Sequence, residues 1–276
     1  MLSVVIITHN NFSKKNGCIE TVLLSLIKQT LNETEIILVD NFSSETELSK
    51  LKDCVEDLNI RYGVRIKLIL NERNNISSGR NLGINVSDGD IIIFMDDDMV
   101  LPDTKALEQV LNISKEYSYG YAANRKWTVE GWYEKHKEEI NESFISGEEY
   151  VRMCTEEPDP MVRNKYNCRH LLRTYIGNFG FINKNCLDRS GMWDESFTGY
   201  GAEDDLMAYR LYKTFGVPAL LSNIEAVHIH HKISPKDIER QDHNRNKLEK
   251  ILHSDGVKIF HTGRLLYGEE NVIEVY

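Results

Sequence analysis

The sequence predicts an α/β protein with a mostly parallel sheet flanked by helices. Three observations carry that prediction. Runs rich in β-branched and aliphatic residues at Leu2–Thr8, Glu35–Asp40, Arg65–Leu70 and Asp90–Met95 have strand length. They are more continuously apolar than alternating, as strands buried on both faces are. Helical spacing fills the gaps between them, and a βαβ rhythm implies right-handed parallel crossovers. Finally, 276 residues, 41% hydrophobic and 28% charged, can bury a substantial core without staples.

Taken in order, Leu2–Thr8 is the first buried strand. Asn16 can cap a helix over 17–29, with Ile19, Val22, Leu23, Leu26 and Ile27 at helical spacing. The second strand ends on Asp40, and a polar stretch with Ser43 and Ser44 leads into a helix through about Leu58. After the third strand, Ser77 or Ser78 opens a short helix carrying Arg80 and Asn81. The fourth strand runs straight into Asp96-Asp97-Asp98. A helix follows over about 104–117. From Tyr119 to Tyr175 the periodicity weakens, and Pro158 and Pro160 break it, so this stretch reads as an insertion or mobile segment. The rest reads as strand 177–183, helix 204–215, strand 217–230, a helix from Ser234-Pro235 to about Leu252, and a terminal hairpin. We expect one domain with a ligand-binding half (1–118), the inserted segment (119–175) and a second half (176–276).

Composition removes several function classes. The net charge is −10, which disfavours a broad nucleic-acid surface. No apolar run approaches the ~20 residues of a membrane span. The five cysteines (18, 54, 154, 168, 186) form no CxxC pair and read as reduced thiols. The expected location is the cytoplasm, at most peripheral to a membrane.

Ligands of open parallel sheets bind beyond the carboxyl ends of the strands. Thr8, Asp40 and Asp96 sit at such ends and should share one rim. Three adjacent carboxylates repel one another and call for a counter-cation. Hard oxygen ligands suit Mg²⁺ or Mn²⁺. Alternation sets Asp96 and Asp98 on one side, toward metal and substrate, and Asp97 on the other. His228, His230 and His231 close a predicted strand. Alternation puts His228 and His230 on one face, and one of them is favoured as a further metal ligand. Glu203-Asp204-Asp205 follow Gly199-Tyr200-Gly201-Ala202 and open a helix. They either serve the helix dipole or include a general base. Arg80 can pair with a phosphate, pair with the acid triplet or lie on the helix surface. Trp193 either stacks on a sugar or fills the core.

Together these residues resemble a glycosyltransferase of the GT-A fold, a Rossmann-like architecture. "SVVIITHNN", "EIILVDNFSS" and "SSGRNLGINVSDGDIIIFMDDDMVLP" resemble the family 2 glycosyltransferases. "GNFGFINKNCLDRSGMWDESFTGYGAEDDLMAYRL" resembles the C-terminal part shared by β-1,4-galactosyltransferases, polypeptide N-acetylgalactosaminyltransferases and chondroitin-type polymerases, and the tail is similar to the end of the β-1,4-galactosyltransferase catalytic domain. Tyr200 and Ala202 depart from the Trp-Gly-Gly pattern common there.

The resemblance implies that Thr8, Asn10 and Asp40 hold the uracil and ribose of a UDP-sugar, with Arg80 near the donor phosphates or the acid triplet. Asp96 and Asp97 fall to the donor nucleotide. Asp98, with Asp96 and with His228 or His230, falls to Mn²⁺ (or Mg²⁺). Asp204 is the implied base, while Glu203, Asp205 and Trp193 bind acceptor or sugar. The implied reaction is an inverting, metal-dependent transfer from a UDP-sugar to the hydroxyl of a glycan, lipid-linked or peptide acceptor. Rival readings are a sugar-nucleotide pyrophosphorylase, whose Gly-rich basic loop "THNNFSKKNG" lacks, and a non-catalytic nucleotide-sugar or carbohydrate-binding module.

Overall fold

The computed structural model describes residues 1–14, 17–148, 151–158, 176–216, 220–231, 234–259 and 273–274. The first half alternates as expected: β1 (Leu2–Thr8), α1 (Ile19–Ile27), β2 (Thr34–Asn41), α2 (Glu45–Tyr62), β3 (Ile66–Asn71), α3 (Ile76–Asn85) and β4 (Ile91–Asp96). Then come β5 (Met99–Val100), α4 (Ala106–Ile113), β6 (Tyr119–Thr128), α5 (Trp132–Ser146), β7 (Thr155–Pro158), α6 (Ile176–Phe179) and β8 (Gly180–Asn183). The chain continues through α7 (Lys184–Ser190), α8 (Glu203–Phe215), β9 (Leu220–His228) and α9 (Pro235–Ser254). β10 (Lys258–Ile259) and β11 (Ile273–Glu274) pair antiparallel, in line with the expected hairpin.

The main sheet runs β3-β2-β1-β4-β8-β6-β9-β5, with β7 beside β6. It is parallel from β3 to β4 and mixed beyond, because β8 pairs antiparallel with both β4 and β6. Successive residues of the apolar strands feed opposite faces. Val4, Ile6, Leu38 and Ile93 join α1 and α2 in one core, while Val5, Ile37, Ile92 and Phe94 join α3, α7 and α8 in another. Each such side chain contributes about 1.5–3 kcal/mol. That double burial explains the unbroken hydrophobic runs.

Three details position the site. A Cβ on Gly83 would stand 2.3 Å from Val5 Cγ1, so a glycine there lets α3 lie close on β1. Asn75 caps α3 by accepting from Ser78 N at 2.8 Å, the kind of cap worth about 1 kcal/mol. And β6 is a central strand between β8 and β9, which corrects the reading of its residues as part of an insertion. Its polar and small residues, with a register shift between Ala122 and Asn124, hide the usual alternation. Cys168, Pro160 and the rest of 159–175 lie outside the described residues. Cys18, Cys54, Cys154 and Cys186 are free thiols. Among the described residues, no helix is long and apolar enough to cross a membrane.

Candidate active site at the carboxyl rim of the sheet

Register brings the predicted strand-end residues together. Thr8 stands opposite Asp40, and Asp96 stands opposite Ile7 on the other side of β1. Asp40 is 2% exposed. Its Oδ2 accepts from Ser43 N at 3.1 Å, while its Oδ1 is buried with no partner. Asn10, in the left-handed region at φ 47°, links the end of β1 to the start of α2. Its N–H donates to Ser43 Oγ and its Oδ1 accepts from Ser44 N. Asp97, in the turn just past β4, faces the β1–α1 loop. Its Oδ2 accepts from Thr8 Oγ1 at 2.7 Å, Asn11 Nδ2 at 2.8 Å and Lys14 Nζ at 3.2 Å.

Arg80 is the centre of the arrangement. Its guanidinium, on a side chain 4% exposed, reaches Asp204 Oδ1 at 2.9 Å, Glu203 Oε1 at 3.1 Å and Asp96 Oδ1 at 3.7 Å. Its Cζ lies 4.3 Å from the ring centroid of Trp193. Trp193 is 2% exposed and also meets Phe94 edge-on. The structure therefore places this tryptophan in the core beneath Arg80, away from any open sugar-binding surface. The reason is that α3 carries both Arg80 and Asn81. Asn81 pins Trp193 by donating to its carbonyl and accepting from its N–H, each at 2.9 Å.

The acids arrive from α8. Ala202, left-handed at φ 70°, turns the chain so that Glu203, Asp204 and Asp205 occupy the first turn. There the helix dipole favours negative charge. Burial pushes the Asp204 carboxyl well above its usual range. Arg80 pulls the other way, while Glu203, Asp96 and Asp205 add to the rise. Asp96 is raised to about 6, by burial first and Asp98 second, against the pull of Arg80. Glu203 is buried, and its Oε2 has no partner. Asp205 is half-buried beside them.

Two residues of the site gave no signal of their own in sequence. Asn178 of α6 donates to Asp96 Oδ2 at 2.5 Å. A Cβ on Gly177 would stand 2.1 Å from Arg80 Nη2 and 2.5 Å from Asp204 Oδ1. These residues sit inside "GNFGF", whose Gly-Asn pair looks like an ordinary turn until the fold sets it against Arg80.

The histidines converge on Asp98 in a different register from the one expected. β5 pairs with β9, Met99 opposite His228, and so carries Asp98 alongside. His228 Nε2 and His231 Nε2 each lie 3.1 Å from Asp98 Oδ2. His230 lies instead against Trp127, ring centroids 5.5 Å apart, and its backbone N–H donates to Thr128 Oγ1. Strand alternation stops at His228, where β9 ends, so the face pairs His228 with His231 rather than His230. Asp98 Oδ1 and His228 Nδ1 are buried without partners. One ligand atom from each of Asp98, His228 and His231 falls within 4.8 Å of the others. That oxygen and imidazole set fits a Mn²⁺-type ion. Burial raises the Asp98 carboxyl, but His228 and His231 outweigh it and hold it far below the usual range. Asp96 stands outside this trio, bound to Asn178 and Arg80.

A cleft of about 400 Å³, lined by Asn74, Thr198, Gly199, Glu239, Arg240 and His243, opens beside the loop that precedes the acids. Asn244, fully buried, donates to the carbonyls of Thr198 and Tyr200 and fixes that loop against α9.

The profile of glycosyl transferase family 2 matches residues 3–190. The uncharacterized glycosyltransferase YfnE of Bacillus subtilis (strain 168) is 25% identical over 258 residues, 79% of this chain and 62% of YfnE. The poly(ribitol-phosphate) beta-N-acetylglucosaminyltransferase TarP of Staphylococcus aureus (strain N315) is 31% identical over 134 residues, 47% of this chain and 37% of TarP. The chain thus spans less than two thirds of the length of these relatives. A crystal structure of GalNAc-T7 with UDP, GalNAc and Mn²⁺ superposes with a TM-score of 0.60 at 18% identity, over 92% of this chain and 47% of that one. At that identity the likeness speaks for the fold. With a profile match over most of its length and a GT-A architecture, the chain belongs to glycosyl transferase family 2.

Proposed function

We propose that the chain transfers a hexose or N-acetylhexosamine from a UDP-sugar to an acceptor hydroxyl with inversion, and that Asp204 is the general base. One observation carries this reading: Arg80 draws Asp96, at the end of β4, and Asp204, at the start of α8, to a single centre. Thr8, Asn10 and Asp40 lie on the nucleotide side of that centre, and the Asp40 oxygen without a partner suits a donor on a base edge. Asp98, His228 and His231 would hold a divalent ion, which when bound offsets the charge of the leaving diphosphate.

In the reaction, the acceptor oxygen forms its bond to the anomeric carbon as the bond to UDP breaks on the opposite face. The acceptor's proton passes to Asp204. Its raised carboxyl moves toward the operating pH, where general bases work best. Arg80 holds that carboxylate in place, and Glu203 and Asp205 face the sugars.

The test is calorimetry of UDP with and without Mn²⁺, followed by a panel of UDP-sugars scored for UDP release. We expect Mn²⁺-assisted UDP uptake and slow, sugar-dependent release. A chain that takes up no UDP under either condition would rule the reading out.

A further inference from the structure

Phe42 combines two unfavourable features. Its φ of 67° lies in the left-handed region, where a side chain crowds the following carbonyl. The residue is also 59% exposed. A glycine at this position would avoid both penalties.

The backbone around it is heavily tied. Asn41 O lies 3.1 Å from His9 Nδ1, and Ser43 N donates to Asp40 Oδ2 at 3.1 Å. Ser43 Oγ accepts from Asn10 N at 2.8 Å, and Ser44 N donates to Asn10 Oδ1 at 2.9 Å. Such over-determination lets a strained residue persist, and retained strain of this kind clusters at ligand sites.

The same turn that holds Phe42 holds Asp40, whose Oδ1 is buried and without a partner. An exposed aromatic side chain two residues beyond that carboxylate suits a flat ring with N–H on its edge. Position agrees: β2 lies two strand spacings from β4, roughly 10 Å, and β4 ends at Asp96. A nucleoside with its base at β2 can therefore place its phosphates near Asp96 and Asp98.

We propose that Phe42 is a stacking platform for the nucleobase of the donor and so a contributor to donor affinity. This rests on the nucleotide-sugar reading above. The experiment compares the wild type with Phe42→Gly and Phe42→Trp by thermal melting and by calorimetry with two probes, UDP and inorganic pyrophosphate, both with Mn²⁺.

We expect Phe42→Gly to melt no lower than the wild type, because glycine relaxes the left-handed turn. It should lose UDP affinity by roughly fivefold to a hundredfold, the range of base–aromatic stacks, and keep its pyrophosphate affinity. Phe42→Trp should keep UDP affinity. Unchanged UDP affinity in Phe42→Gly overturns the proposal, and so does an equal loss toward both probes. A wild type that takes up pyrophosphate but no UDP overturns the nucleotide-sugar reading itself, and this proposal with it.

Discussion

Arg80 Nη1 donates to Asp204 Oδ1 at 2.9 Å, although 124 positions separate the two residues. The same guanidinium serves Glu203 and Asp96. One cation therefore holds three carboxylates that would otherwise repel one another. This ties the carboxyl rim of the sheet to the first turn of α8.

Removing that cation should be costly. Arg80→Met leaves buried carboxylates uncompensated, and breaking a buried pair costs about 3–5 kcal/mol. Chemical denaturation should show a loss on that scale. Arg80→Lys keeps the charge but loses the planar fork, so it should fall between the two. A wild-type midpoint for Arg80→Met would show that the cluster contributes nothing to stability.

Gly177→Ala tests the same centre from the opposite side. The added methyl would meet Arg80 Nη2 at 2.1 Å and Asp204 Oδ1 at 2.5 Å. We expect a loss of about 1–3 kcal/mol, as for other overpacked sites. We also expect a kcat loss larger than any change in UDP binding. Unaltered kcat would mean that Asp204 need not sit where Arg80 holds it.

Asp204→Asn should lower transfer by about 10²–10⁴-fold, the usual worth of a general base. UDP affinity should change little. If transfer persists within a few fold of wild type, the base is another residue.

The histidines make a separable prediction. His231→Ala should weaken Mn²⁺ binding about tenfold or more, on the scale of lost metal-site contacts, because His231 lies 3.1 Å from Asp98. His230→Ala should leave Mn²⁺ affinity near wild type. The reverse pattern in a Mn²⁺ titration would exchange their roles.

Without metal, the contribution of Asp96 to stability should fall as pH rises from about 4 to 6. The Asp96 carboxyl is raised from 3.8 to about 6 in the fold. Between those values the native state binds more protons than the unfolded chain, so stability declines with rising pH. Glu35 works in the opposite sense. Burial raises it, but hydrogen bonds from Lys67, Ser3 and Asp88 N outweigh burial and hold it below 4.5. Its contribution is present above that value and is lost as pH falls further. Asp96→Asn should flatten the decline between pH 4 and 6 in denaturation curves, and an unchanged slope would contradict the assignment.

Much of the fold was legible in the sequence. β1, β2 and β4 are buried on both faces, so their apolar runs declare themselves, and Asp40 and Asp96 fall at the carboxyl ends of β2 and β4 by position alone. β6 stayed hidden because its Tyr, Gly, Asn and Arg residues carry no simple alternation and its register shifts midway.

At the site, residue types were readable and partners were not. The aspartate triplet, the histidine cluster and the acids of α8 each point to chemistry. Only the tertiary structure decides that Arg80 reaches Asp204, that Trp193 lies beneath Arg80, and that His231 joins His228 at Asp98. Periodicity describes side chains within one element. It ends where the strand ends, at His228, and contacts across long stretches of chain depend on how separate elements pack.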